Sequence, residues 1–124
     1  ENLGFKIAGV PILIGLNWCF LIYGATELVA VLKIKTWMKA IFAGALVTAV
    51  DVLIEPVAPV LDFWYWPANN NIAPMSNYTT WFALSVAFSL LLLRFGGYEK
   101  RNKLAIALLL IQAMFFASLN VTIL

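Results

Sequence analysis

Four stretches of this chain, residues 11–32, 37–55, 78–95 and 103–124, are almost continuously apolar. Each is close to the roughly 20 residues that an α-helix needs to cross the hydrocarbon of a bilayer. The runs are long and do not alternate polar with apolar, so membrane strands are not expected. Pro11 opens the first run, where a missing N–H costs nothing. Pro56 and Pro59 end or kink the second, and the turn-like Pro74-Met75-Ser76-Asn77 precedes the third. With 64% of 124 residues hydrophobic and 11% charged, a soluble fold this size has more apolar side chain than it can bury. The expected fold is all-α: a polytopic membrane bundle of about four transmembrane helices in one domain, with the lipid bilayer as its solvent.

The charges give this bundle a direction. Lys33, Lys35 and Lys39 lie between the first two runs, and Arg94, Lys100, Arg101 and Lys103 lie between the last two. In an up-and-down order, loops 33–39 and 94–103 share one end, which the positive-inside rule makes cytoplasmic. Loop 57–77 at the other end has no Lys or Arg but carries Trp64, Tyr65 and Trp66, a group suited to the membrane–water interface. A prokaryotic cytoplasmic membrane is the expected location. A net charge of +2 held in two short runs argues against nucleic acid as a partner. One cysteine and no histidine argue against a disulfide framework and against a zinc or haem site, so no metal or cofactor is expected. Gly96-Gly97 reads as a turn before a basic run and not as a phosphate cradle. Cys19 reads as a small buried hydrophobe. The chain begins at Glu1, and no signal-peptide pattern is read at its start.

The chemistry lies in the polar residues within the runs. A charged group at the bilayer centre costs about 2.5–3.5 kcal/mol on insertion scales, so intramembrane carboxylates read as functional by default. Asp51 and Glu55 are spaced i, i+4 and share a helix face, with Thr48 on the same stripe. Two carboxyls that close in low dielectric cannot both ionise cheaply, so the pair is expected to keep a proton and act as acid and base. At about 1.5 Å per residue from the basic loops, Asn17, Asp51, Asn77 and Asn120 all fall roughly 21–25 Å deep, one from each helix. Glu27 lies only about 9 Å from Lys33 along the helix, too shallow for the same cluster. It could pair with Lys33 or Lys35. Gln112 and Ser118 read as helix–helix contacts.

The motifs in order resemble a known family. Gly9-Val10-Pro11-Ile12-Leu13-Ile14 leading into Asn17-Trp18, then Ala25-Thr26-Glu27, Asp51-x-x-x-Glu55-Pro56, Phe63-Trp64-x-Trp66 and Pro74-Met75-Ser76-Asn77-Tyr78 with Trp81-Phe82 are similar to a membrane carotenoid-biosynthesis family. That family contains carotenoid hydratases of the bisanhydrobacterioruberin and γ-carotene type. Its members usually carry further helices upstream, so an upstream part is expected beyond this chain. The resemblance implies a lipophilic carotenoid substrate and acid-catalysed hydration of the terminal double bond of an acyclic end group. Asp51 or Glu55 would be the acid, and the other would orient it or activate water. Asn17 and Asn77 could hold the water, and Trp64, Trp66, Tyr78 and Trp81 could face the tertiary cation. Glu27 completes the candidate substrate-binding set.

Three other readings fit parts of the sequence. A carotenoid cyclase begins with the same protonation. A small proton-coupled transporter would use Glu27 near the midplane. A structural subunit of a membrane complex would use Asp51 and Glu55 only to hold helices together.

Overall fold

A computed structural model describes residues 4–7, 10–96 and 101–123. Gly9, Gly97, Lys100 and Leu124, which enter the sequence reading, lie outside those residues. The order is a two-residue antiparallel ladder of β1 (Lys6–Ile7) with β2 (Val10–Pro11), then α1 (Ile12–Val29), α2 (Thr36–Ile54), a short 3₁₀ turn at Pro67–Asn69, α3 (Met75–Phe95) and α4 (Lys103–Thr122). The four α-helices are all long and apolar enough to cross a membrane, and the protein is an all-α polytopic bundle.

Two helix ends lie three residues from the sequence reading, each for a local reason. α1 stops at Val29 and not at residue 32, because the chain turns with Leu32 N–H on the Val29 carbonyl at 3.0 Å. Lys39 Nζ then reaches the Ala30 carbonyl at 2.6 Å, a cation on orphan acceptors at a helix C-terminus. α3 starts at Met75, so most of the run read as a turn belongs to the helix. Pro74 is its N-cap with extended backbone, and the Asn77 N–H bonds the Pro74 carbonyl at 2.9 Å. Asn77 is thereby on the first turn of a rigid element.

The end of α2 follows from Pro56. Glu55 keeps helical backbone as C-cap, its N–H 2.9 Å from the Asp51 carbonyl. Pro56 has no N–H to give. The N–H groups of Val57 and Ala58 both turn to the Ile54 carbonyl, at 3.0 and 2.9 Å. That leaves the Leu53 carbonyl without its helical donor, and Asn120 Nδ2 from α4 supplies one at 2.7 Å. An exposed carbonyl at this depth would cost several kcal/mol in lipid, about the value for any unsatisfied backbone group there.

α1 and α2 form the centre of the bundle. α4 packs chiefly on α1 and α3 chiefly on α2. The apolar windows of α1 and α2 are 44% and 39% buried against 11% and 17% for α3 and α4, which leaves the outer two facing lipid. Small residues permit close approach, as expected where lipid removes the hydrophobic drive between helices. A Cβ at Gly24 would sit 2.6 Å from the Ala105 carbonyl, and one at Gly44 2.5 Å from Val86 Cγ2. α1 and α3 also meet in constant register. Thr26 Oγ1 lies 2.8 Å from Ser89 Oγ, an offset of 63 residues, and Trp18 stacks on Trp81 at the same offset two turns earlier.

Candidate active site

At the end of the bundle away from loop 33–39, α2 and α3 bring three side chains together. Asp51 and Glu55 are 1% and 4% exposed on one face of α2. Asn77 on α3 donates from Nδ2 to Asp51 Oδ2 at 3.1 Å and to Glu55 Oε1 at 2.8 Å. Both amide hydrogens are committed, so Asn77 positions the carboxyls.

The aromatic loop closes over the pair. Asp62 adopts a left-handed backbone with φ 57°, a conformation that Asp tolerates better than most residues. The Phe63 N–H bonds back to the Ala58 carbonyl at 2.9 Å. The reversed chain lays Trp64 and Trp66 over Glu55, and both indoles donate to Oε2, at 3.1 and 2.8 Å. Their N–H edges hold a carboxyl, which neither an interfacial belt nor a purely cation-facing role anticipates. Tyr65 turns outward and donates to Asp62 Oδ1 at 2.5 Å, a bond that holds the Asp62 carboxyl below the usual carboxylate range.

Three of the four carboxyl oxygens of the pair therefore accept from N–H groups: Asp51 Oδ2 and both oxygens of Glu55. The fourth, Asp51 Oδ1, has no partner among the described residues.

Asp51 stands on the wall of two adjoining cavities. One, of about 230 Å³, is bounded by Trp18, Trp64, Trp66, Asn77 and Trp81 with both carboxyls. The other, of about 280 Å³, extends toward α4 and is bounded by Asn17, Trp18, Phe63, Gln112 and Phe116. Gln112 Nε2 donates to Asn17 Oδ1, while Gln112 Oε1 is buried without a partner among the described residues. Among the described residues no Lys or Arg borders either cavity. Among the described residues no group of acidic, Cys or His side chains could hold a metal ion.

The remaining candidates separate. Tyr78 is half-buried within the field of both carboxyls but borders neither cavity. Glu27 is 2% exposed at the far end of α1, where its Oε2 accepts the Asn102 N–H at 3.0 Å. Asn102 in turn caps α4 by accepting the Ala105 N–H at 3.1 Å. Glu27 thus ties α1 to the start of α4, and the pairing expected with Lys33 or Lys35 is replaced by a backbone donor. Ser118 bonds the Phe115 carbonyl of its own helix at 2.7 Å and is not a helix–helix contact. Cys19 is exposed and not buried. Trp18 and Gln112 join the cavity although the sequence reading did not place them in the site. An apolar aromatic and a lone amide carry no chemical signal of their own.

A family model described as carotenoid biosynthesis protein matches residues 1–124. No curated protein and no solved structure matches the chain.

Proposed function

The chain belongs to the carotenoid biosynthesis protein family, and we propose that it hydrates the terminal double bond of an acyclic carotenoid end group. The observation that carries this reading is Asp51 Oδ1, the one oxygen of the pair without a partner among the described residues, beside a carboxyl whose own oxygens are both taken. N–H groups only donate, so every engaged oxygen presents a lone pair. A proton shared by the pair then belongs on Asp51 Oδ1, on a residue that borders both cavities. Glu55 is the carboxylate, held by three N–H donors and, among the described residues, by no cation.

The reaction follows from that arrangement. The π pair of the terminal alkene takes the Asp51 proton, a new C–H bond forms, and the positive charge settles on the tertiary carbon. Aromatic faces of Trp18 and Trp81 attract that cation by their quadrupoles, worth about 0.5–2 kcal/mol. The Glu55 carboxylate and the ionised Asp51, both buried, add fixed negative charge beside it. A water oxygen attacks the cation, a C–O bond forms, and the proton it sheds restores Asp51. The net change is one water added across one double bond. The Asn17–Gln112 pair supports hydration over cyclisation, since it sets amide groups on the cavity wall where a water can be held. Asn77 keeps the two carboxyls in register.

The test is pigment analysis in a host that accumulates an acyclic carotenoid. The wild type should give a product heavier by one water, and Asp51→Asn, which keeps the shape but carries no acid, should give none. Unchanged pigment from well-expressed wild-type protein would sink the reading. A product of unchanged mass would indicate cyclisation by the same acid.

A further inference from the structure

A third cavity, of about 420 Å³, runs between α1 and α3 and shares Trp18 and Trp81 with the acid chamber. Gly15, Cys19 and Ile22 on α1 and Leu84, Phe88 and Leu92 on α3 border it. The α1 residues recur at i, i+4 and i+7 and the α3 residues at i, i+4 and i+8, so each set is one helix face. Leu84 and Phe88 are 40% and 53% exposed, so the groove opens sideways to lipid. Among the described residues no charged side chain borders it.

We propose that this groove holds the polyene chain of the carotenoid, with the end group delivered past the Trp18–Trp81 stack to Asp51. The assignment rests on the hydration reading for its occupant, and on the geometry for its place. The groove volume falls within the roughly 300–1,000 Å³ typical of ligand sites. From Gly15 to Tyr23 and from Trp81 to Leu92, the helical rise gives a length on the order of 12–16 Å, long and narrow like an extended chain. Its walls offer dispersion contacts and nothing to a polar or charged ligand. It adjoins the acid chamber at the two stacked indoles, which border both. A chain lying along α1 and α3 can then present its terminus to Asp51 while its interior double bonds stay out of reach of the acid. Lateral opening lets such a substrate enter from the bilayer without crossing water.

Gly15 gives a way to block the groove, because a Cβ added there meets nothing within 4 Å and leaves open space for a larger side chain. The experiment purifies the protein from a host accumulating an acyclic carotenoid, then reads the pigment bound per protein by its visible absorbance and the pigment masses of the same cells. Gly15→Phe and Cys19→Trp fill the groove from α1. Leu91→Trp adds similar bulk on α3 at a position that is 52% exposed and outside the groove. Loss of most bound pigment in the first two variants, with wild-type levels in Leu91→Trp, is the expected result. Wild-type pigment levels in both groove variants overturn the proposal, and if they still form the water adduct the hydration reading survives it. Pigment bound by the wild type and lost in the groove variants, with no water adduct in any, supports the groove and overturns hydration instead. A wild type that holds no pigment and changes no mass overturns both.

Discussion

Trp18 and Trp81 stack face to face, with ring centroids 3.7 Å apart and planes 4° from parallel. One ring comes from α1 and the other from α3, and together they form the wall common to the acid chamber and the apolar groove. Replacing Trp18 with Leu removes the stack and one aromatic face from the chamber. Such pairs contribute about 0.5–1.5 kcal/mol beyond buried area, and a lost cation–π contact adds a similar amount. The rate of product formation by Trp18→Leu should fall by about tenfold, since each ~1.4 kcal/mol of barrier is a factor of ten. Initial rates on a dispersed acyclic carotenoid, at equal protein, check it.

Glu55 is held by the indole N–H groups of Trp64 and Trp66 and by Asn77. Trp66→Phe keeps the ring and deletes the donor of the 2.8 Å bond. Hydrogen bonds to charged groups contribute about 1.5–3 kcal/mol, so the variant should unfold earlier and lose activity together. Denaturant unfolding in micelles followed by far-UV circular dichroism measures the first effect. If Trp66→Phe matches the wild type in both, the indole clamp is not what holds the carboxylate.

The close approach of α1 and α4 depends on Gly24. Its Cβ would meet the Ala105 carbonyl at 2.6 Å, and a backbone atom cannot rotate away. Gly24→Ala should destabilise the bundle by about 1–3 kcal/mol, the usual cost of overpacking. Gly15→Ala, with nothing within 4 Å, should stay within about 0.5 kcal/mol of the wild type. Equal unfolding midpoints for the two variants would contradict this.

Asp62 lies in the aromatic loop, and the Tyr65 phenol lowers its titration. A carboxyl whose folded-state pKa is depressed adds stability above its unfolded pKa, near ~3.9, and loses it as pH falls through the folded value. Tyr65→Phe should move the Asp62 midpoint upward toward the ordinary carboxylate range. Carboxyl ¹³C shifts followed through an acid titration read this directly.

Much of the bundle was legible in the chain because lipid leaves a sequence few options. Every backbone N–H and C=O must be satisfied within the membrane, so long apolar runs become helices. Four such runs, the proline after Glu55 and the i, i+4 spacing of Asp51 with Glu55 therefore determined the helices and one acidic face. The common depth of Asn77 with Asp51 also followed from helical rise. Which polar groups meet at that depth did not. Asn77 reaches the carboxyls, whereas Asn17 meets Gln112 and Asn120 meets the Leu53 carbonyl. Depth is a property of one helix, but azimuth depends on how each helix is rotated against its neighbours. Only tertiary packing sets that rotation, through contacts such as Gly24 on Ala105 and Trp18 on Trp81. The turn at Asp62, which folds two indoles back onto Glu55, was hidden for the same reason: no local periodicity records where a loop lands.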